Sequence, residues 1–458
     1  MSKRLLALSN VLLAAISAFA GHFTFDIAVD RDPAVYKAGE TARITIHLLE
    51  DGAPAIGRLL KYRVEYGPEQ TTVIGESPLV LEPSLDHPGQ IFIKGSAYEP
   101  DGINRVANID GNGNRHACHF GIGVMFDPGQ LRASHPKPAD FDAYWDGEIA
   151  RQKKEVPLDV EKISRTLVPD REDFDLYDVY IPALSRTPTA GYLSLPKDAK
   201  PKSLPVIVRV IGAGTTSAYR MFFDNAITFS INAHGCRNGE TKEYYDAFFS
   251  TIAENYPLQG REYRATYYFH GQIMRLVRAL EYVKTLPEWN GRDLIIEGTS
   301  MGGSQALLGA ALDPDVTLCV ANDPAQCDHF AELDTPARHP GWPRLINDGD
   351  ERVRAAAAYY DNIYFSERIR CEVCIASGFA DDTCFSSGVY IAFNRMPSKN
   401  KTITTSPTAG HCGTRNVTGF RRIEEIVRAA HERAPAQDYE ELGHNSYRHG
   451  FPNPRSVK

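Results

Sequence analysis

The chain has 458 residues, 43% of them hydrophobic and 24% charged, with a formal net charge of −8. A chain of that size has room for two cores of ordinary dimensions. Its mild acidity gives no electrostatic basis for binding nucleic acid or an anionic membrane surface, whereas a neutral polysaccharide surface is not repelled by it.

The first twenty residues, MSKRLLALSNVLLAAISAFA, combine Lys3 and Arg4, an apolar run from Leu5, and the small-residue site Ala18-Phe19-Ala20. This is the pattern of a secretory signal peptide cleaved before Gly21. The apolar run is shorter than the roughly 20 residues a spanning helix needs. The mature chain is therefore expected to be secreted or periplasmic, with no membrane partner after cleavage. Export permits disulfides among the eight cysteines. Cys371 and Cys374 are written C-x-x-C, but IRCEVCIAS reads as a buried strand, where residues three apart face opposite ways. No second C-x-x-C follows, so these two are expected in the core, with no metal.

Residues 21–130 read as a small immunoglobulin-like β-sandwich. Alternation runs through Ala42, Ile44, Ile46 and Leu48, and similar short runs recur at LKYRVEY, QIFIKGSAY and CHFGIGVMF with turn residues between them. No catalytic cluster stands out there, and its role is open between spacer, oligomerisation surface and sugar-binding module. SHPKPADFDAYWDGEIARQKKEVP then marks a boundary, with Pro138 near the start of a helix and Asp140 or Asp142 in its first turn. From residue 131 to about 435 the pattern is α/β. Apolar runs such as PVIVRVIG, AITFSINA, DLIIEG, TLCVAND and CEVCIAS alternate with amphipathic helices, the clearest carrying Ile273, Leu276, Val277, Leu280 and Val283 before Pro287. Buried strands alternating with helices predict a mostly parallel sheet covered on both faces. Residues 436–458 form a polar tail.

EGTSMGGSQAL contains Gly298-Thr299-Ser300-Met301-Gly302. A G-x-S-x-G pentapeptide arises by chance in about one chain in six of this length, so it carries little alone. Here a buried strand precedes it and GGSQALLGAAL, a run of good helix formers, follows. That context is a nucleophile elbow, which lifts the Ser300 hydroxyl above the sheet while Gly298 and Gly302 let strand and helix approach. The Met301 amide, at the helix start, points at a developing oxyanion. The acid and the base follow the serine in this fold, each on a loop after a later strand. GFADDTC, after CEVCIAS, offers Asp381 or Asp382; Asp381 is favoured, with Asp382 assigned to capping the helix near Phe385. PTAGHCGTRN, after KTITTS, offers His411; His444 and His449 lie in the tail and fit poorly. Gly212-Ala213-Gly214, after PVIVRVI, allows close backbone approach and makes the Ala213 amide the second oxyanion donor, or else merely shapes a turn.

Several segments together resemble one family. PADFDAYW, INAHG, FHGQIMRLVRALEYVKTLPEWNGRDLIIEGTSMGGSQAL, DPAQCDH, GFADDTC with VYIAFN, and His411 occur in its order between about residues 125 and 430. The chain is similar to the acetyl xylan esterase / cephalosporin C deacetylase family of α/β-hydrolases, carbohydrate esterase family seven. The resemblance implies deacetylation of acetylated xylan or xylo-oligosaccharides, no cofactor, Ser300, Asp381 and His411 as triad, and the Met301 and Ala213 amides as oxyanion hole. It also implies a homo-oligomer, since members often form hexamers. Three residues depart from the family's pattern: His234-Gly235-Cys236 replaces Arg-Gly-Gln, Met301 replaces a glutamine, and Cys412 replaces a glutamate after the base. His234 is a candidate substrate contact, as is Trp342, which either stacks on a sugar ring or anchors the excursion DHFAELDTPARHPGWPRLINDGD. Because the strands before them are neighbours in this fold, Cys327 and Cys384 are expected to form a disulfide. Two rival functions remain: an esterase or peptidase of the same fold acting on other groups, such as feruloyl or glucuronoyl esters, and an inactive carbohydrate-binding homologue.

Overall fold

A computed structural model describes residues 22–165, 171–331, 338–346 and 349–433. The leader at 1–20 and the tail at 436–458 lie outside the described residues. Nine strands form the sheet of the larger region, in the spatial order Glu161–Arg165, Phe174–Ile181, Thr189–Pro196, Ile227–Ile231, Leu204–Val210, Trp289–Thr299, Leu318–Asn322, Glu372–Gly378 and Lys401–Ser406. The first four pair antiparallel, and every later pairing is parallel. The continuous apolar runs are explained by burial on both faces, since helices cover each side. Helix Met301–Leu312 is buried all round, which is why its sequence has no polar stripe. Helix Val417–Arg433 buries only Gly419, Ile423, Val427 and Ala430, and Ile423 and Val427 pack on Ile207, Ile295, Val320 and Cys374. Cys374 belongs to that layer, whereas Cys371 packs against the opposite one, as the strand period requires.

The N-terminal region folds into two larger sheets and a two-stranded hairpin of Ala107–Ile109 and Arg115–Ala117. Phe23–Val29, Ile44–Glu50, Ala53–Pro54 and Leu79–Leu81 make one; Val35–Tyr36, His119–Phe126, Gly89–Tyr98, Leu59–Val64 and Gln70–Val73 make the other. Ile44, Ile46 and Leu48 point inward with no exposure, while their neighbours remain partly exposed. The second sheet is buried further than a free-standing sandwich would be. Gly89–Ile93 is a run of buried residues rather than an alternation, and so is Ile122–Phe126. The outer face at those positions lies against the hydrolase region. The Gln90 amide donates to the Phe379 carbonyl at 2.9 Å, its oxygen accepts from the Ser387 amide at 2.8 Å, and the Gly123 amide donates to the Pro407 carbonyl at 2.8 Å. A Cβ at Gly123 would stand 1.9 Å from the Phe379 carbonyl oxygen, so only glycine permits this approach. One continuous apolar core therefore runs through both regions.

Helix Phe141–Glu155 follows the proline-rich stretch, with Asp140 at its N-cap and Asp142 in its first turn. Asp140 does not cap through its side chain; it pairs with Arg264 at 2.7 Å and receives the Tyr359 hydroxyl. Trp145, fully buried, fastens this helix by donating to the Tyr359 carbonyl at 3.0 Å. Among the described residues, no helix is long and apolar enough to cross a membrane.

Candidate active site

Strand Trp289–Thr299 ends in the elbow. Ser300 adopts φ 63° and ψ −122°, a strained left-handed conformation that projects its side chain away from the turn. The elbow is possible because the flanking residues lack side chains: a Cβ on Gly298 would lie 2.3 Å from the Gly302 oxygen, and one on Gly302 would lie 2.2 Å from the Val210 oxygen. Backbone bonds clamp the turn from the next strand, with the Ser300 amide donating to Asn322 at 2.8 Å and the Ala325 amide donating to the Ser300 carbonyl at 3.1 Å.

Three side chains distant in sequence meet at this point. His411 Nε2 lies 2.8 Å from Ser300 Oγ, and His411 Nδ1 lies 2.8 Å from Asp381 Oδ2. Asp381 is fully buried, and its other oxygen accepts the Thr383 and Cys384 amides at 2.8 and 2.9 Å. Those bonds fix the carboxylate's orientation independently of the histidine. Ser300 is partly exposed, so a substrate can reach its hydroxyl. Burial works against charging His411, but the Asp381 carboxylate outweighs it, assisted by the Cys384 and Cys412 thiols, and raises its pKa well above that of an ordinary imidazole. The arrangement thus favours the imidazolium that forms when the serine gives up its proton.

Asp382, the adjacent carboxylate, turns outward, pairs with Lys94 of the β-sandwich, and makes no helix cap; helix Ser386–Arg395 begins at Phe385 without a side-chain cap. Met301 is the first residue of helix Met301–Leu312, which puts its amide among the unpaired donors of the N-terminus. Gly212 approaches the elbow closely, its Cβ direction opening 3.5 Å from the Thr299 oxygen and 3.9 Å from Ser300 Cβ, and Ala213 follows it on an exposed turn.

His234 is fully buried, and this corrects its reading as a substrate contact. Its Nδ1 bonds the Tyr268 hydroxyl at 2.8 Å, and its ring packs on Tyr256 at 4.6 Å between centroids. Burial, followed by the nearby Arg275 charge, lowers its pKa to about 4, so the imidazole is neutral. Trp342 is partly buried against Tyr256 and Phe269, the arrangement of an anchor for the excursion that carries it. Cys327 and Cys384 are both free thiols, which corrects the expected disulfide. The neighbouring strands do bring the loops together, but the sulfurs face different partners. Cys384 is directed at the His411 ring, and Cys327 donates to the Ala325 carbonyl at 3.6 Å. Burial pushes the Cys384 thiol up to about 12.

Among the described residues, one group could present three metal ligands: Asp381, Cys384 and His411, whose ligand atoms lie within 4.8 Å of one another. The first and last of these already share a 2.8 Å hydrogen bond. Gln90 is the functional neighbour that sequence reasoning missed. A polar residue in the buried phase of QIFI was its one local signal. Beside the acid loop, the β-sandwich also forms an open groove of about 560 Å³ lined by Tyr62, Tyr66, Phe92, Lys94, Arg344 and Asp382, among others.

Residues 129–424 match the family model described as acetyl xylan esterase (AXE1). The acetyl esterase Axe7A of Xylanibacter ruminicola is 28% identical over 381 residues, covering 81% of this chain and 83% of that protein. Two solved acetyl xylan esterases share the fold. The enzyme from Paenibacillus sp. R4 has a TM-score of 0.53 at 21% identity, covering 66% of this chain and 98% of its own. Acetyl xylan esterase 1 from Thermoanaerobacterium sp. JW/SL YS485 has a TM-score of 0.52 at 19% identity, covering 66% and 97% respectively. With well over half its length matched by the family model, the chain belongs to the acetyl xylan esterase family and is a carboxylic ester hydrolase of the α/β-hydrolase fold.

Proposed function

We propose that the protein is an exported serine esterase that removes acetyl groups from acetylated xylan or xylo-oligosaccharides. The observation that carries this reading is the paired contact of His411, 2.8 Å from Ser300 Oγ on one side and 2.8 Å from Asp381 Oδ2 on the other. His411 takes the Ser300 proton as the hydroxyl oxygen attacks the acetyl carbonyl, and Asp381 holds the ring in the tautomer that leaves Nε2 free to accept. The Met301 and Ala213 amides receive the oxyanion, each donor contributing about 2.7–4 kcal/mol by comparison with a measured oxyanion hole. His411 then protonates the departing sugar hydroxyl. Water repeats the cycle on the acetyl-enzyme, releasing acetate and restoring the serine.

The polysaccharide assignment is supported by the family, by the relative named an acetyl esterase, and by the tyrosine-lined groove beside the acid loop, whose rings suit stacking on sugars. Export is supported by the leader pattern of residues 1–20, and a mature N-terminus at Gly21 is the corresponding expectation. The test is acetate release from acetylated xylan by the wild type and by Ser300→Ala. Release by the wild type alone is expected; equal release by both overturns the nucleophile assignment. Xylan binding without turnover in the wild type instead favours the non-catalytic homologue.

A further inference from the structure

The segment Asn322–Ala325 touches all three loops of the triad. Its backbone clamps Ser300 through the Asn322 carbonyl and the Ala325 amide. Its one ionisable side chain, Asp323, reaches the other two. Asp323 Oδ1 accepts the Gly378 amide at 3.0 Å, at the start of the acid loop, and the carboxyl also faces the Cys412 amide, next to His411. Asp323 has no exposure, φ of 40°, and its own amide tied to the Ala376 carbonyl at 2.8 Å, so the carboxyl cannot turn out to water. Its Oδ2 is buried without a hydrogen-bond partner. A carboxylate so placed is more than a packing group: an orphaned buried oxygen on a charged group is costly, whereas the neutral acid lessens that cost.

We propose that Asp323 is a positioning residue for the triad, joining the acid loop to the histidine loop and setting, by its charge, how readily His411 accepts a proton. The proposal rests on His411 acting as the base for Ser300. The titratable groups facing Asp323 are Asp381 on the acid loop, Cys384 beyond it, and His411. Burial, reinforced by the Asp381 charge, raises its pKa to about 7, against the pull of the Gly378 amide, His411 and the Cys412 amide. Below neutrality Asp323 is therefore an acid; above it a second buried negative charge stands near the imidazole. That charge favours the imidazolium in the resting enzyme as well as in the transition state, so it holds the acid limb of kcat/KM at higher pH and raises the plateau beyond it.

The linkage has a definite sign. A native pKa of about 7, above the ordinary carboxyl value of 3.8, means the folded state holds a proton that the unfolded state has lost. The contribution of Asp323 to stability therefore falls as pH rises through that window. The test is the pH dependence of kcat/KM on p-nitrophenyl acetate, with thermal unfolding across the same range, for the wild type and Asp323→Asn. An acid limb at lower pH and a lower plateau are expected for Asp323→Asn. The melting temperature of the variant, relative to the wild type, should rise between about pH 4 and pH 8. Superimposable profiles, or an acid limb moved to higher pH in the variant, overturn the proposal, and Asp323→Glu, which keeps the charge, should retain the wild-type limb. Ser300→Ala in the same assay separates the two readings. If it retains full activity the triad assignment fails; if it is inactive and the Asp323→Asn profile superimposes on that of the wild type, only the role of Asp323 fails.

Discussion

The nucleophile elbow and the acid loop are built in opposite ways. The elbow is a local object: a strand, two glycines and a helix within Trp289–Leu312 place Ser300, and the steric demand at Gly298 and Gly302 comes mainly from a neighbouring turn and the adjacent strand. The acid loop is held from a distance. Gln90, 289 positions earlier, bonds the Phe379 carbonyl; Gly123 makes room for that carbonyl; and Lys94 draws Asp382 outward while Asp381 faces the histidine. The difference teaches that the β-sandwich is part of the hydrolase's scaffold, since the carboxylate that orients His411 sits on a loop resting on it. A nucleophile must be strained, and local glycines supply that; an orienting acid must only be still, and any rigid neighbour suffices.

The two supports can be broken separately. Ser300→Ala removes the proposed nucleophile and should lower kcat by about 10⁶, measured by acetate release, with the melting temperature changed little. Asp381→Asn should lower kcat by about 10⁴. It should also move the acid limb of kcat/KM to lower pH, because the carboxylate that raises the His411 pKa is gone and the imidazole becomes neutral earlier. Gln90→Ala tests the remote support. It leaves the buried Phe379 carbonyl and Ser387 amide without their partner, which should cost about 1–3 kcal/mol in denaturant unfolding. We expect kcat to fall several-fold while KM for p-nitrophenyl acetate holds, because the loop moves but the acyl site does not. Asp382→Asn should cost under about 1 kcal/mol and change kcat less than twofold, since its pair with Lys94 is half-exposed. A large loss of activity in Asp382→Asn would break the distinction between the two adjacent carboxylates.

Much of the site was legible because its parts are marked by local chemistry. Gly298, Ser300 and Gly302 announce themselves between a buried run and a helix, and His411 follows the last buried strand in the order an α/β-hydrolase requires. Asp381 against Asp382 was less legible: consecutive carboxylates differ only in which way each points, and Lys94, from another part of the chain, takes part in that choice. Asp323 gave no signal, because TLCVANDPAQ reads as the end of a strand and the turn after it, where an aspartate is ordinary. His234 was misread for a related reason. A histidine after a strand is a plausible ligand until Tyr256 and Tyr268 are seen to enclose it.

By itself, the sequence determined the alternation of buried strands and helices, the strained serine and the order in which its partners follow, because hydrophobic periodicity and glycine placement act over a few residues. Tertiary structure alone decided which carboxylate meets the imidazole, that the Cys327 and Cys384 sulfurs face different partners, and that a sandwich of some hundred residues underpins the acid loop. Those outcomes depend on the direction of side chains across strands far apart in the chain, and no local propensity encodes a direction between surfaces that meet only after folding.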